Sequence, residues 1–177
     1  FRNKKLFLSL LLFLAFGALS VLLAPAFGLA FYHFLRLMML TFLALAVGKI
    51  VAEPKIFERV LLILAILSVF QSIIGIAQFK IQGNLGLSIL GESPIGADDP
   101  GTSKVAVGSA KLVRAYGTFP HPNILGAFLL LGLVSLFHSY LHAATLYRRI
   151  LVSVGIFLVA IGLILTFSRA AWLTAFL

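Results

Sequence analysis

The chain has no cysteine and only five acidic residues against 14 lysines and arginines. The first absence excludes a disulfide framework, a thiol nucleophile and a thiolate metal site. The second is sharper still, because the long apolar runs contain no carboxylate at all. Proton-coupled transporters usually carry acidic or histidine relays inside the membrane, so that class loses support. Also missing are a serine–histidine–acid set, a phosphate-binding glycine loop and a Glu-His metal helix. None of the residue patterns present points to a metal ion or other cofactor. Charged residues amount to 11% of the chain and hydrophobic residues to 62%. Soluble domains lie near a quarter charged and half apolar, so the composition points to a membrane protein. The net charge of +9 fits that reading. Basic residues are scattered between apolar runs instead of being clustered on a soluble face, which argues against a nucleic-acid partner.

A helix needs about 20 apolar residues to cross the hydrocarbon core. Spans are predicted at roughly 6–23, 31–47, 60–79, 123–141 and 150–167, with a sixth starting near Ala170. Basic residues ahead of the first run could mimic a signal peptide. That run is long for a signal core, however, and no small-residue cleavage site precedes a soluble domain. Phe1 at the start and an apolar run at Leu177 suggest the N-terminal part of one transmembrane domain of a longer protein. The expected fold is all-α: a polytopic transmembrane helix bundle with one long outer loop, 80–117, that contains a small β-hairpin.

Orientation follows from the basic residues. Arg2, Lys4 and Lys5, then Lys49, Lys55 and Arg59, then Arg148 and Arg149 occupy alternate loops. The positive-inside rule makes that side cytoplasmic, including the N-terminus, and places the long loop outside. Glycines and prolines between Gly83 and Gly101 predict turns. Lys104–Val107 and Ala110–Val113 flank Gly108-Ser109, which predicts a two-residue hairpin of type II′.

Arg114 to Gly126 reads Arg-Ala-Tyr-Gly-Thr-Phe-Pro-His-Pro-Asn-Ile-Leu-Gly, between that loop and an apolar run. Pro122-Asn123 looks like the start of the fourth helix. Exposed amides there, together with Arg114, could bind a phosphate. Equally, Asn123 could be a simple cap and Arg114 a lipid-headgroup contact. Arg169 follows Ser168 at another helix end and is either part of the same anion site or an interfacial anchor beside Trp172. Arg36 lies in the second span and is a functional candidate, expected to face the protein interior or a wet cleft, unless the span starts after it. Gln71 and Gln78 share a face with Ser68, Ser72 and Gly75, which reads mainly as helix–helix hydrogen bonding. Gly155 and Gly162 read as packing positions. His138 and His142 have metal-ligand spacing but no third ligand nearby, so an interfacial role is expected.

Arg-Ala-Tyr-Gly-Thr-Phe-Pro-His-Pro-Asn-Ile-Leu-Gly-Ala-Phe, followed one helical hairpin later by Leu-Thr-Phe-Ser-Arg-Ala-Ala-Trp-Leu, resembles the O-antigen ligase and O-antigen polymerase family. The resemblance covers 114–177, and the earlier spans match only as generic hydrophobic helices. It implies a metal-independent glycosyltransferase, multi-pass in the bacterial cytoplasmic membrane. The enzyme would move glycan from an undecaprenyl-diphosphate carrier to a glycan or lipid acceptor at the outer face. The diphosphate-binding role then falls on Arg114 and Arg169, with Asn123, and His121 and Arg36 are further candidates. The family's functional histidine lies in a later outer loop, so the catalytic residues are expected beyond Leu177. A non-enzymatic polysaccharide or lipid-carrier transporter could use the same arginines, and a cell-envelope scaffold would not need them.

Overall fold

In the computed structural model, which describes residues 4–108 and 110–176, the chain is a polytopic helical membrane protein with one antiparallel hairpin. The helices are α1 (Lys4–Leu22), α2 (Phe27–Val51), α3 (Pro54–Ile81), α4 (Pro122–Leu141), α5 (Leu146–Leu165) and α6 (Arg169–Phe176). Four of them, α2 to α5, are long and apolar enough to cross a membrane, and a shorter apolar stretch, Leu8–Leu22, lies in α1. Large apolar side chains such as Phe16, Phe42, Leu131 and Phe157 are exposed along these helices. In a membrane such surfaces meet lipid, not water.

The helices run beyond the predicted spans. The expected loop from Lys49 to Arg59 shrinks to Ala52–Glu53, because α2 continues to Val51 and α3 starts at Pro54. The hydrocarbon sets only the minimum apolar length, and helix-tolerant Lys55, Glu58 and Arg59 extend the helix past it.

The chain forms two compact units, Phe1–Phe57 and Glu58–Leu177. In the first, α1 and α2 pack as a helical hairpin across the break at Pro25, and Gly17 lies against Phe34 and Leu37. Within α2 no residue is buried. Arg36 is accordingly exposed and faces no interior of this unit; of the expected placements, a wet cleft or the membrane interface remains. A two-helix hairpin provides no interior to face.

The second unit holds the remainder of α3 with α4, α5 and α6 around a core of Ala65, Ala115, Leu125, Leu129, Leu136, Val159, Leu163 and Ala171. Small residues let the helix backbones approach closely. A Cβ added at Gly132 of α4 would overlap the Ser68 side chain of α3. One added at Gly162 of α5 would lie 2.7 Å from Ser72 Oγ. Between α3 and α4, the loop carries a single 3-10 turn at Ser88–Leu90 and the hairpin of β1 (Lys104–Val107) and β2 (Ala110–Val113). Lys104 pairs with Val113 and Val107 with Ala110. Gly108 has φ 61°, as the first central position of the expected turn requires. Ser109, the other turn residue, lies outside the described residues.

Candidate functional site

The site forms where the end of α5 meets the starts of α4 and α6. A helix C-terminus leaves its last carbonyls without intrahelical partners. At the end of α5 three carbonyls accept hydrogen bonds from two other parts of the chain, α6 and the segment that follows β2. Leu163 O accepts the indole N–H of Trp172 at 3.0 Å. Leu165 O accepts the Ala115 amide at 2.9 Å. Thr166 O accepts Arg114 Nε at 2.6 Å. The two sequence motifs, 114–128 and 165–173, are therefore joined by hydrogen bonds at one helix end. Trp172, expected as a membrane-interface aromatic, ties α6 to α5.

Arg114 makes two further bonds. Its Nη2 donates to Asn123 Oδ1 at 2.7 Å and its Nη1 to Ser103 Oγ at 3.2 Å. A guanidinium has five N–H donors, so two remain free among the described residues. Partial burial lowers the pKa of Arg114 from the usual arginine value, opposed by Tyr116, and an arginine remains charged regardless.

Glutamines on α3 fix the segment that carries Arg114. Gln78 is fully buried, and its Oε1 accepts the amides of Gly117 and Tyr116 at 2.7 and 3.2 Å. Its Nε2 donates to Gly117 O at 2.8 Å and to Glu92 Oε1 at 2.7 Å. Gln71 accepts from the Thr118 amide at 2.9 Å and donates to Thr118 Oγ1 at 2.8 Å. Both glutamines thus bind a loop, where glue between helices was expected. Gly117 permits the approach: its φ is 61°, and a Cβ there would overlap Gln71 Oε1. Glu92, buried beneath the loop, also accepts the amides of Leu85 and Leu87. Burial raises its pKa, but the hydrogen bonds from Gln78 and the backbone amides outweigh that and hold it below the ordinary glutamate value.

Helix α4 starts at Pro122. Its cap is His121, whose Nδ1 accepts the Asn123 amide at 3.2 Å, so the capping reading of Asn123 is corrected. The Asn123 side chain instead turns to Arg114. His121 is exposed, with its ring 6.5 Å from that of Tyr116.

A cavity of about 650 Å³ opens here, lined by Lys104, Val105, Arg114, Asn123, Phe167, Ser168, Arg169, Ala170 and Trp172. Arg114, Arg169 and Asn123 line it together, whereas Arg36 belongs to the other unit. Lys104 adds a third cation that the sequence reading missed; its place opposite Val113 in the hairpin carries it here. The lining holds three cations and no carboxylate. Arg169 is exposed, and its guanidinium makes no hydrogen bond among the described residues. It opens α6, whose N-terminal residues face the cavity, and a helix N-terminus favours anions. Phe167 holds a left-handed φ of 48°, uncommon for an aromatic residue. It packs between Phe79 and Trp172, with ring centroids at 6.0 and 5.8 Å. Glu92 and the loop-binding role of the glutamines also escaped the sequence reading. The one signal for them was a pair of amides seven residues apart on an apolar helix. His138 and His142 lie at the far end of α4 with rings 4.2 Å apart, and no metal-ligating cluster occurs among the described residues.

The chain matches no protein-family model, no curated protein and no solved structure.

Proposed function

We propose that the protein transfers glycan from an undecaprenyl-diphosphate carrier to a glycan or lipid acceptor, as an O-antigen ligase- or polymerase-like glycosyltransferase. One observation carries this reading: a cavity at the ends of apolar helices is lined by three cations and no carboxylate. Its two arginines belong to the motifs that resemble that family. A diphosphate requires more than one cation, and arginine offers a planar fork that fits phosphate oxygens.

In the reaction, an acceptor hydroxyl attacks the anomeric carbon and the carbon–oxygen bond to the diphosphate breaks. The electron pair leaves on the diphosphate oxygen, and the acceptor proton passes to a base that is not assigned among these residues. Arg114, Arg169 and Lys104 act where the leaving-group charge grows. Arg114 is held rigid by Thr166 O, Ser103 and Asn123, so little reorganisation is needed as charge develops. The alternation of basic residues supports placing this site at the outer face of the bacterial cytoplasmic membrane, with the N-terminus inside.

The test is transfer of labelled glycan from an undecaprenyl-diphosphate donor by the protein in proteoliposomes, analysed by acceptor. Labelled acceptor supports the proposal; a donor left intact with every acceptor offered rejects it.

A further inference from the structure

The cationic cavity continues into a second one. A groove of about 340 Å³ between α4 and α6 is lined by Asn123, Ala127, Leu130, Leu131, Ser168, Ala170, Ala171 and Thr174. Asn123, Ser168 and Ala170 line both. From Asn123 the α4 wall passes through Ala127 and Leu130 to Leu131, one face of the helix. At 1.5 Å per residue that wall runs about 12 Å along α4. Helix α4 is one of those long and apolar enough to cross a membrane, so the groove leads from the charged cavity into the span. The opposite wall is small: Ala170, Ala171 and Thr174. Gly126 sets the spacing, since a Cβ there would lie 3.1 Å from Ser168 and 3.2 Å from Ala171. Ala127, Leu131 and Thr174 are exposed, so the groove is open along its length.

We infer that this groove receives the apolar tail of the ligand whose phosphates occupy the cationic cavity: a single polyprenyl chain lying between α4 and α6. The inference rests on the proposed function for the identity of the head group. The groove adds the direction of approach. A lipid-linked diphosphate reaches the arginines laterally, with its first isoprene units against Ala127, Leu130 and Thr174. Charged head and apolar tail then meet matching surfaces at Asn123, where polar lining gives way to apolar.

The test fills the groove from either wall with Ala127→Phe and Thr174→Phe, both at exposed positions where a larger side chain has room to fold. Binding of undecaprenyl diphosphate, inorganic pyrophosphate and phosphatidylglycerol to the full-length protein in micelles is then compared. The parent should bind undecaprenyl diphosphate more tightly than pyrophosphate. Each variant should lose at least about tenfold for the polyprenyl ligand, the equivalent of two displaced methylenes, and keep pyrophosphate within about twofold. Unchanged polyprenyl binding in both variants overturns the groove, as does parental binding of pyrophosphate as tight as that of its polyprenyl form. Equal affinity of phosphatidylglycerol for the parent overturns the choice of ligand. If the parent binds neither diphosphate, the proposed function falls together with the groove.

Discussion

Replacing Gln78 by leucine should release the Arg114 segment while leaving the helices in place. The buried amide makes four hydrogen bonds: from the Tyr116 and Gly117 amides, to Gly117 O and to Glu92. Leucine fills nearly the same volume but makes none of them. Ordinary net hydrogen bonds contribute about 0.5–1.5 kcal/mol each, and one to a charged group about 1.5–3 kcal/mol. With some apolar burial regained, the loss is about 3–5 kcal/mol, a large part of the stability of a typical domain. It falls first on the segment itself, whose amides would open without global unfolding. Hydrogen exchange of the protein in micelles, read by mass spectrometry, should show Tyr116 and Gly117 exchanging at least about a hundredfold faster. Amides in the middle of α4 and α5 should change far less. Gln71→Met, which removes only two bonds at a half-buried site, should have the smaller effect. Undisturbed protection at Tyr116 and Gly117 in Gln78→Leu would refute the idea that α3 holds this segment.

Three further outcomes are expected. The Glu92 carboxylate is held below its ordinary pKa, so it contributes stability above about pH 4.3 that is lost as pH falls through the lower folded value; limited proteolysis of the 85–92 loop should rise on acidification, and Glu92→Gln should remove that dependence. Gly132→Ala should cost about 1–3 kcal/mol through overlap with Ser68, and Ser68→Gly in the same chain should restore most of it, as read by thermal unfolding of the double mutant. In this cysteine-free chain, a membrane-impermeant thiol reagent applied to intact spheroplasts should label Asp98→Cys and spare Lys55→Cys, and the reverse pattern would invert the proposed orientation.

The spans of α2 to α5 were legible because apolar runs of that length have few other uses. Their ends were not, since Lys55, Glu58 and Arg59 continue a helix as readily as they flank one. The hairpin was legible from Gly108 and the short β-prone runs on either side of it. Arg114 and Arg169 could be placed at the same end of the bundle by counting spans. The bond from Arg114 to Thr166 O could not be foreseen, because an unpaired helix carbonyl leaves no mark in the residue types. The same holds for Gln71 and Gln78: an amide on an apolar helix announces a polar partner but does not say whether it is a helix or a loop 47 or 39 residues away. His121 in place of Asn123 as the cap of α4 reflects local geometry, in which the extended backbone at His121 brings Nδ1 onto the Asn123 amide. Arg36 drew attention by its depth in a span, yet α2 lies in the other unit and buries no residue.

Arg169 separates fold from function more cleanly than Arg114 does. It is exposed and its guanidinium makes no hydrogen bond among the described residues, so Arg169→Ala should change stability by no more than about 0.5 kcal/mol. If the cavity stabilises a departing diphosphate, the same variant should lose about a hundredfold or more in glycan transfer from undecaprenyl diphosphate. The decisive measurement is therefore the transfer rate of Arg169→Ala beside its thermal unfolding in the same micelles. The account predicts an intact fold with transfer reduced about a hundredfold; transfer at the parental rate in that folded variant would contradict it.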